Sequence, residues 1–169
     1  MQPLITKEIE KIPKSILILN DIRSVINVGA IFRTADAAGV GQIILSGVTP
    51  TPIDRFGRIR TDFNKASLGA EHSVPWETSD HIVKTIQNLK KQGYTIICIE
   101  QNKKSMHFKK YKAKKDEKVV LIPGNEVEGV PKTLLKLADV ILELPMHGIK
   151  ESLNVSVATG IVLYHVLNV

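Results

Sequence analysis

Five short, almost continuous apolar runs punctuate the chain: SILILN at 15–20, QIILSG at 42–47, YTIICIE at 94–100, KVVLIPG at 118–124 and VILELP at 140–145. Runs of this length, rich in Ile, Val and Leu and bounded by polar or turn residues, predict strands buried on both faces; half-exposed strands would alternate. Helical patterns lie between them. From Asn27, VGAIFRTADAAG predicts a helix closed by Gly39, and 79–92 carries Ile82, Val83, Ile86 and Leu89 on one face before Gly93 ends it. A short helix follows Pro131 to about Ala138, and an almost wholly apolar helix runs from about Leu153 to Leu167. Residues 4–13 read as a weakly amphipathic lead-in closed by Pro13, whereas 48–76, rich in Pro, Gly and Arg, holds no long periodic run. A segment that long outside regular structure is functional or contains short helices. The alternation predicts an α/β fold with a mostly parallel sheet and helices on both faces, in one domain spanning 1–169. In such folds ligands sit beyond the carboxyl ends of the strands, here 20–27, 100–104, 123–128 and 145–152.

Composition adds a sign and a compartment. With 23 Lys and Arg against 17 Asp and Glu, the net charge is +6 and the pI about 9.4, which suits a polyanionic partner. The one cysteine, Cys98, lies inside an apolar run and reads as a buried strand thiol in a reducing compartment. No apolar run reaches membrane-span length, and the first residues lack a signal-peptide core, so a cytoplasmic location is expected.

Three constellations stand out, each open to a plain reading. Asn27 fits a helix N-cap, but Gly29, costly inside a helix at about 0.5–1 kcal/mol relative to Ala, lies one turn before Arg33 on the same face. Arg33 would then lean back over the bare Gly29 toward the Asn27 loop. Gly124 and Gly129 stand at P-loop spacing, but Val130 and Pro131 replace the Lys and Ser/Thr of an NTPase loop. A Gly-punctuated turn, with Glu126 and Glu128 favoured near a helix start, reads the same residues without function. In 144–164, Ser152, Asn154 and Ser156 crowd a helix start, where free backbone N–H groups also point outward. The lysine-rich stretch 103–118, with Met106, Phe108 and Tyr111 interleaved, is either a phosphate-tracking patch with stacking side chains or a solvated basic loop. Gly39-Val40-Gly41 precedes a strand instead of following one, so it is no dinucleotide fingerprint. The five histidines lack metal-ligand spacing, and no metal site is expected.

Taken together, Asn27-x-Gly29-x-x-x-Arg33, Gly124-Asn125-Glu126-x-x-Gly129, and Leu144-Pro145-Met146-x-Gly148 followed by 152–158 resemble the SpoU/TrmH branch of the SPOUT methyltransferases, RNA ribose 2′-O-methyltransferases. The segments 65–70 and 74–76 are also similar to that family, and the resemblance runs from Ile16 to Tyr164. It implies S-adenosylmethionine as methyl donor, a C-terminal trefoil knot forming its pocket, and a homodimer. The chain resembles the catalytic domain alone, without a separate RNA-binding extension.

The resemblance further assigns cofactor binding to Ile99, Gly124, Leu144, Met146, Ser152 and Leu153, and catalysis to Arg33, Asn27, Glu126, Ser152 and Asn154. Arg33, a permanent cation, would stabilise negative charge on the 2′-oxygen or adjacent phosphate, oriented by Asn27 and Glu126. RNA, either tRNA or rRNA, would approach over Arg23, Arg55, Arg58, Arg60 and Lys65, with Lys103, Lys104, Lys109 and Lys110 as outer contacts. Two other readings stand beside it: a non-catalytic RNA-binding or ribosome-assembly protein that keeps the fold, and a methyltransferase acting on a base.

Overall fold

Each of the five apolar runs is a strand, because each has core on both sides. The computed structural model describes residues 13–169, so residues 4–12 of the expected lead-in lie outside the described residues. The order is β1 (Ser15–Asn20), α1 (Val25–Ala37), β2 (Gln42–Ser46), α2 (Thr61–Ser67), α3 (Ala70–Ser73), β3 (Trp76–Ser79), α4 (Ile82–Lys91), β4 (Tyr94–Ile99), β5 (Met106–His107), a single 3₁₀ turn (Phe108–Lys110), β6 (Lys118–Pro123), α5 (Lys132–Leu135), β7 (Val140–Glu143) and α6 (Val155–Leu167). The strands form one sheet in the order β3-β2-β1-β6-β4-β7-β5, and every pairing is parallel.

The period of two along the strands sorts the core into two layers. Leu17, Leu19, Ile43, Ile97 and Leu121 point to one face, where Val28, Ile31 and Phe32 of α1 and Val162, Leu163 and Val166 of α6 cover them. Ile16, Ile18, Ile96, Cys98 and Val120 point to the other, under Ile86 and Leu89 of α4 and Leu134 of α5. Helices cover both faces, as the continuous apolar strands require. Burial pushes the Cys98 thiol up to about 12, with Glu100 and Asp139 adding to it, so this cysteine is a core group.

Several expectations change in detail. The central helix begins before Asn27: Ser24 caps α1 by accepting from the Asn27 N–H at 3.3 Å. Ser79 belongs to β3, and α4 starts at Ile82 with Val83 exposed. The last helix starts at Val155, because Asn154 is its cap and accepts from Ser156 N at 2.8 Å. Segment 48–76 holds α2, α3 and the first residue of the edge strand β3. Within the lysine-rich stretch Phe108 is buried against His165, and the Tyr111 hydroxyl donates to Glu117 at 2.6 Å. These two rings are packing groups, and the stacking reading of 103–118 fails for them.

Gly29 also does something other than expected. A Cβ there would lie 2.7 Å from Ala66 Cβ and 2.9 Å from the Phe63 carbonyl oxygen, so the missing side chain admits α2. The surface left bare by Gly29 is occupied by α2, and Arg33 does not lie across it.

Candidate active site

The ends of β1, β4, β6 and β7 deliver four loops to one side of the sheet. Asn125 closes the β6 loop by accepting from the N–H groups of Val127 and Glu128 at 3.0 and 2.8 Å, while Asn125 and Gly129 pair across it. Glu126 at its tip reaches the start of α1. Its carboxylate accepts from Arg23 N at 3.1 Å, Ser24 N at 3.3 Å and Asn27 Nδ2 at 2.9 Å. The carboxylate thus meets the positive end of the α1 dipole; α5 begins only at Lys132. Desolvation alone would raise the Glu126 carboxyl, but the Asn27 amide and the backbone N–H groups outweigh it and hold the carboxyl below its ordinary range.

Asn27 continues the chain of bonds. Its Oδ1 accepts from Asn154 Nδ2 at 3.0 Å, and Asn154 Oδ1 accepts from Ser156 N and Oγ at 2.8 and 2.6 Å. Glu126, Asn27 and Asn154, from three distant segments, therefore form one relay joining the β6 loop to the starts of α1 and α6. The three motifs meet physically.

The relay borders a cavity of about 500 Å³. All six residues assigned to cofactor binding (Ile99, Gly124, Leu144, Met146, Ser152 and Leu153) line it, and so do Glu126 and Asn154. Its walls are apolar at Ile99, Leu142 and Leu144. Among the described residues, the backbone N–H groups of Met146, Glu151, Ser152 and Leu153, which line the cavity, bond no backbone carbonyl and remain as donors for a ligand. Gln101 Nε2 ties this loop to the end of β4 through Glu151 O at 2.8 Å.

The strand end at Ile99–Glu100, which the resemblance sets along one side of the cofactor, does line the cavity, and Glu100 has a second task there. Its Oε2 accepts from Val130 N at 2.6 Å and its Oε1 from Gln101 N at 2.8 Å. A Cβ at Gly124 would lie 2.9 Å from this carboxylate, and one at Gly129, whose φ is +70°, would fall on it. Both glycines leave room for Glu100, which pins the β6 loop from beneath. The available signal was a carboxylate ending an otherwise apolar strand.

Arg33 stands apart. It is exposed, lies roughly 9 Å along the helix axis from Asn27 at 1.5 Å per residue, and does not line the cavity. Among the described residues neither Asn27 nor Glu126 bonds it. The expected orientation of Arg33 by these two side chains is absent in a single chain.

Of the residues assigned to RNA, Arg23 and Lys65 are exposed, as are Lys103, Lys104, Lys109 and Lys110. Arg58 pairs with Asp54 at 2.8 Å and Arg60 with Asp62 at 3.2 Å, so neither guanidinium is wholly free.

A model of the SpoU rRNA Methylase family matches residues 14–164. The chain is 32% identical over 151 residues to the 23S rRNA (guanosine-2′-O-)-methyltransferase RlmB of Neisseria meningitidis, covering 89% of this chain and 57% of that one. It is also 32% identical over 157 residues to the tRNA (guanosine(18)-2′-O)-methyltransferase of Aquifex aeolicus, covering 92% and 70%. An AdoMet-bound rRNA methyltransferase from Sinorhizobium meliloti superposes with a TM-score of 0.80 at 30% identity, over 90% of this chain and 55% of that one. The chain thus spans little more than half the length of its ribosomal-RNA relatives. With its fold, its three joined motifs and these matches, the chain belongs to the SpoU methylase family.

Proposed function

We propose that this chain is an S-adenosylmethionine-dependent methyltransferase acting on a ribose 2′-hydroxyl of tRNA or rRNA. The observation that carries the reading is the Glu126–Asn27–Asn154 relay at the rim of a cavity lined by Gly124, Leu144, Met146 and Leu153. A cavity of about 500 Å³ falls in the usual range for small ligands. Its apolar walls suit an adenine ring, and the N–H groups of Met146, Glu151, Ser152 and Leu153 suit the polar edge of a nucleoside. S-adenosylmethionine, when bound there, would supply an electrophilic methyl group.

The chain's own residues would do the rest. Gly124, Leu144 and Leu153 shape the wall, and Ser152 and Asn154 offer hydrogen bonds to a ribose. Arg33 acts from the exposed face of α1, not from the cavity wall. Its guanidinium cannot serve as a base at neutral pH. It would bind the 2′-oxygen or the adjacent phosphate and offset the negative charge that develops as the hydroxyl loses its proton. Arg23 and Lys65 would hold the RNA backbone beside it. This reading includes a homodimer, a C-terminal trefoil knot around the cavity and a cytoplasmic location. Homodimerisation is supported by the exposed apolar side chains Val157, Ile161 and Tyr164 on α6.

Calorimetric titration with S-adenosylmethionine, followed by transfer of labelled methyl into tRNA and rRNA separately, tests the proposal. Binding, with label in one pool and resistance to alkaline cleavage at the labelled site, is the expected outcome. Binding with label in neither pool would favour an RNA-binding protein that keeps the fold. Label at an alkali-sensitive site would mean a base is the target, and absent cofactor binding would overturn the assignment. Arg33→Ala should bind cofactor as the wild type does yet lose about 10²–10³-fold in turnover, the usual cost of removing one charge-stabilising donor. Arg33→Lys should recover little, because an ammonium cannot copy a planar fork.

A further inference from the structure

Between β2 and α2 the chain makes a small, rigid hairpin that the site described above does not use. Ile53 and Ile59 pair antiparallel, Asp54 N donates to Arg58 O at 2.8 Å, and Arg60 N donates to Pro52 O at 2.9 Å. Gly57, at φ +76°, makes the turn. Asp54 locks the tip: its Oδ1 accepts from Phe56 N at 2.8 Å and Arg58 N at 3.0 Å, while its Oδ2 accepts from Arg58 Nε at 2.9 Å. At this fixed tip Phe56 is 66% exposed and takes no part in either core layer. The Arg55 and Arg58 guanidinium carbons stand 4.8 and 5.0 Å from its ring centroid.

Folding gains little from this arrangement. A phenylalanine held at a locked turn leaves most of its surface in water, and the two cations over its ring disfavour a purely apolar partner. Arg58 is committed to Asp54, whereas Arg55 has no carboxylate partner among the described residues. A largely exposed aromatic ring that carries a guanidinium without a carboxylate partner among the described residues matches an unpaired nucleotide, which offers a flat base to stack and a phosphate to draw Arg55 away.

We propose that the 52–60 hairpin is a nucleotide-stacking finger: Phe56 stacks on an unpaired base of the RNA substrate, Arg55 contacts the neighbouring phosphate, and the Asp54–Arg58 pair holds the finger in shape. The inference rests on the RNA methyltransferase reading and adds the element that recognises single-stranded substrate. It gives Arg58 an internal role where the sequence suggested a phosphate contact.

The test compares binding of a short single-stranded oligoadenylate with binding of a fully paired RNA duplex of equal length, across a salt series. Phe56→Ala should lose about 10-fold or more in affinity for the single strand, in keeping with the usual worth of base–aromatic stacking. Duplex affinity, salt slope and S-adenosylmethionine affinity should stay as in the wild type, and Phe56→Trp should bind the single strand at least as well. Arg55→Ala should instead lower the salt slope by about one charge on the single strand. Unchanged single-strand affinity in Phe56→Ala, or an equal loss on duplex, overturns the finger. So does loss of binding to anionic lipid vesicles alone, which would make the tip a membrane contact. If the wild type binds neither RNA, the inference falls, and the cofactor titration then decides whether the methyltransferase reading falls with it.

Discussion

Glu126 sits in the loop after β6 yet spends its carboxylate on the start of α1, across sequence separations of 99 to 103 residues. Its folded-state carboxyl lies below the ordinary value of 4.5 because the Asn27 amide and two N–H groups outweigh the cost of desolvation. A depressed carboxyl contributes stability above its unfolded value and loses that contribution as pH falls through the folded value. Glu126→Gln, which keeps the shape without the charge, should therefore melt a few degrees below the wild type near neutral pH. Hydrogen bonds to a charged group contribute about 1.5–3 kcal/mol, reduced here by exposure. The gap should close as the pH falls from the ordinary value of 4.5 through the lower folded one. A gap that stays constant across thermal melts from pH 3 to 8 would show that the charge does not matter. Beneath the same loop, Gly129→Ala would force a side chain into left-handed backbone and displace Glu100 from Val130 N. It should cost about 2 kcal/mol or more in stability and weaken cofactor binding. Gly148→Ala, whose added Cβ would meet nothing within 4 Å, should leave the melting temperature unchanged.

Gly29 decides how closely α1 and α2 approach. Helix propensity alone predicts that Gly29→Ala stabilises α1 by about 0.5–1 kcal/mol. The Ala66 side chain and Phe63 carbonyl, both under 3 Å from the new Cβ, reverse that sign. Overpacking of this kind costs about 1–3 kcal/mol, so chemical denaturation should show the variant less stable than the wild type; a gain would show that α2 can move away freely. Only an observer of both helices could predict that outcome, and the same limit governs what the sequence disclosed. Strands β1, β2, β4, β6 and β7 were legible because burial on both faces writes a continuous apolar run. The edge strands β3 and β5 were not, since Trp76–Ser79 and Met106–His107 have a partner on one side only and keep exposed residues. Helices α2 and α3 span only seven and four residues and meet at Leu68 and Gly69, both at positive φ, too short for a period to show. The cofactor wall was legible through the motif resemblance, and its six residues do share one cavity. What joins Asn27, Glu126 and Asn154 is tertiary, and the place of Glu100 under two glycines could not be read from spacing.

The whole molecule has a surface that one chain leaves uncovered. Helix α6 buries Val155, Thr159, Val162, Leu163 and Val166 against the sheet and α1, yet Val157, Ile161 and Tyr164 on its other side remain 49%, 39% and 37% exposed. A helix apolar on nearly all sides is suited to burial between two layers, and the sheet supplies only one. The proposed homodimer would supply the other, with Ile26 of α1, 67% exposed, available at its border. Charge placed on this face should therefore separate the copies without opening the core. Val157→Asp combined with Ile161→Asp should sediment as a monomer with an unchanged circular dichroism spectrum, while the wild type sediments as a dimer at micromolar concentration. Leu163→Asp, which puts a carboxylate in the buried layer, should instead fail to fold. A wild type that is monomeric, or a double variant that remains dimeric, would remove α6 as the interface. If the two-copy arrangement also forms the working surface for RNA, the folded monomeric variant should keep cofactor affinity within a few-fold and lose methyl transfer. Intact turnover by the monomer would show that one chain's cavity and its own Arg33 suffice.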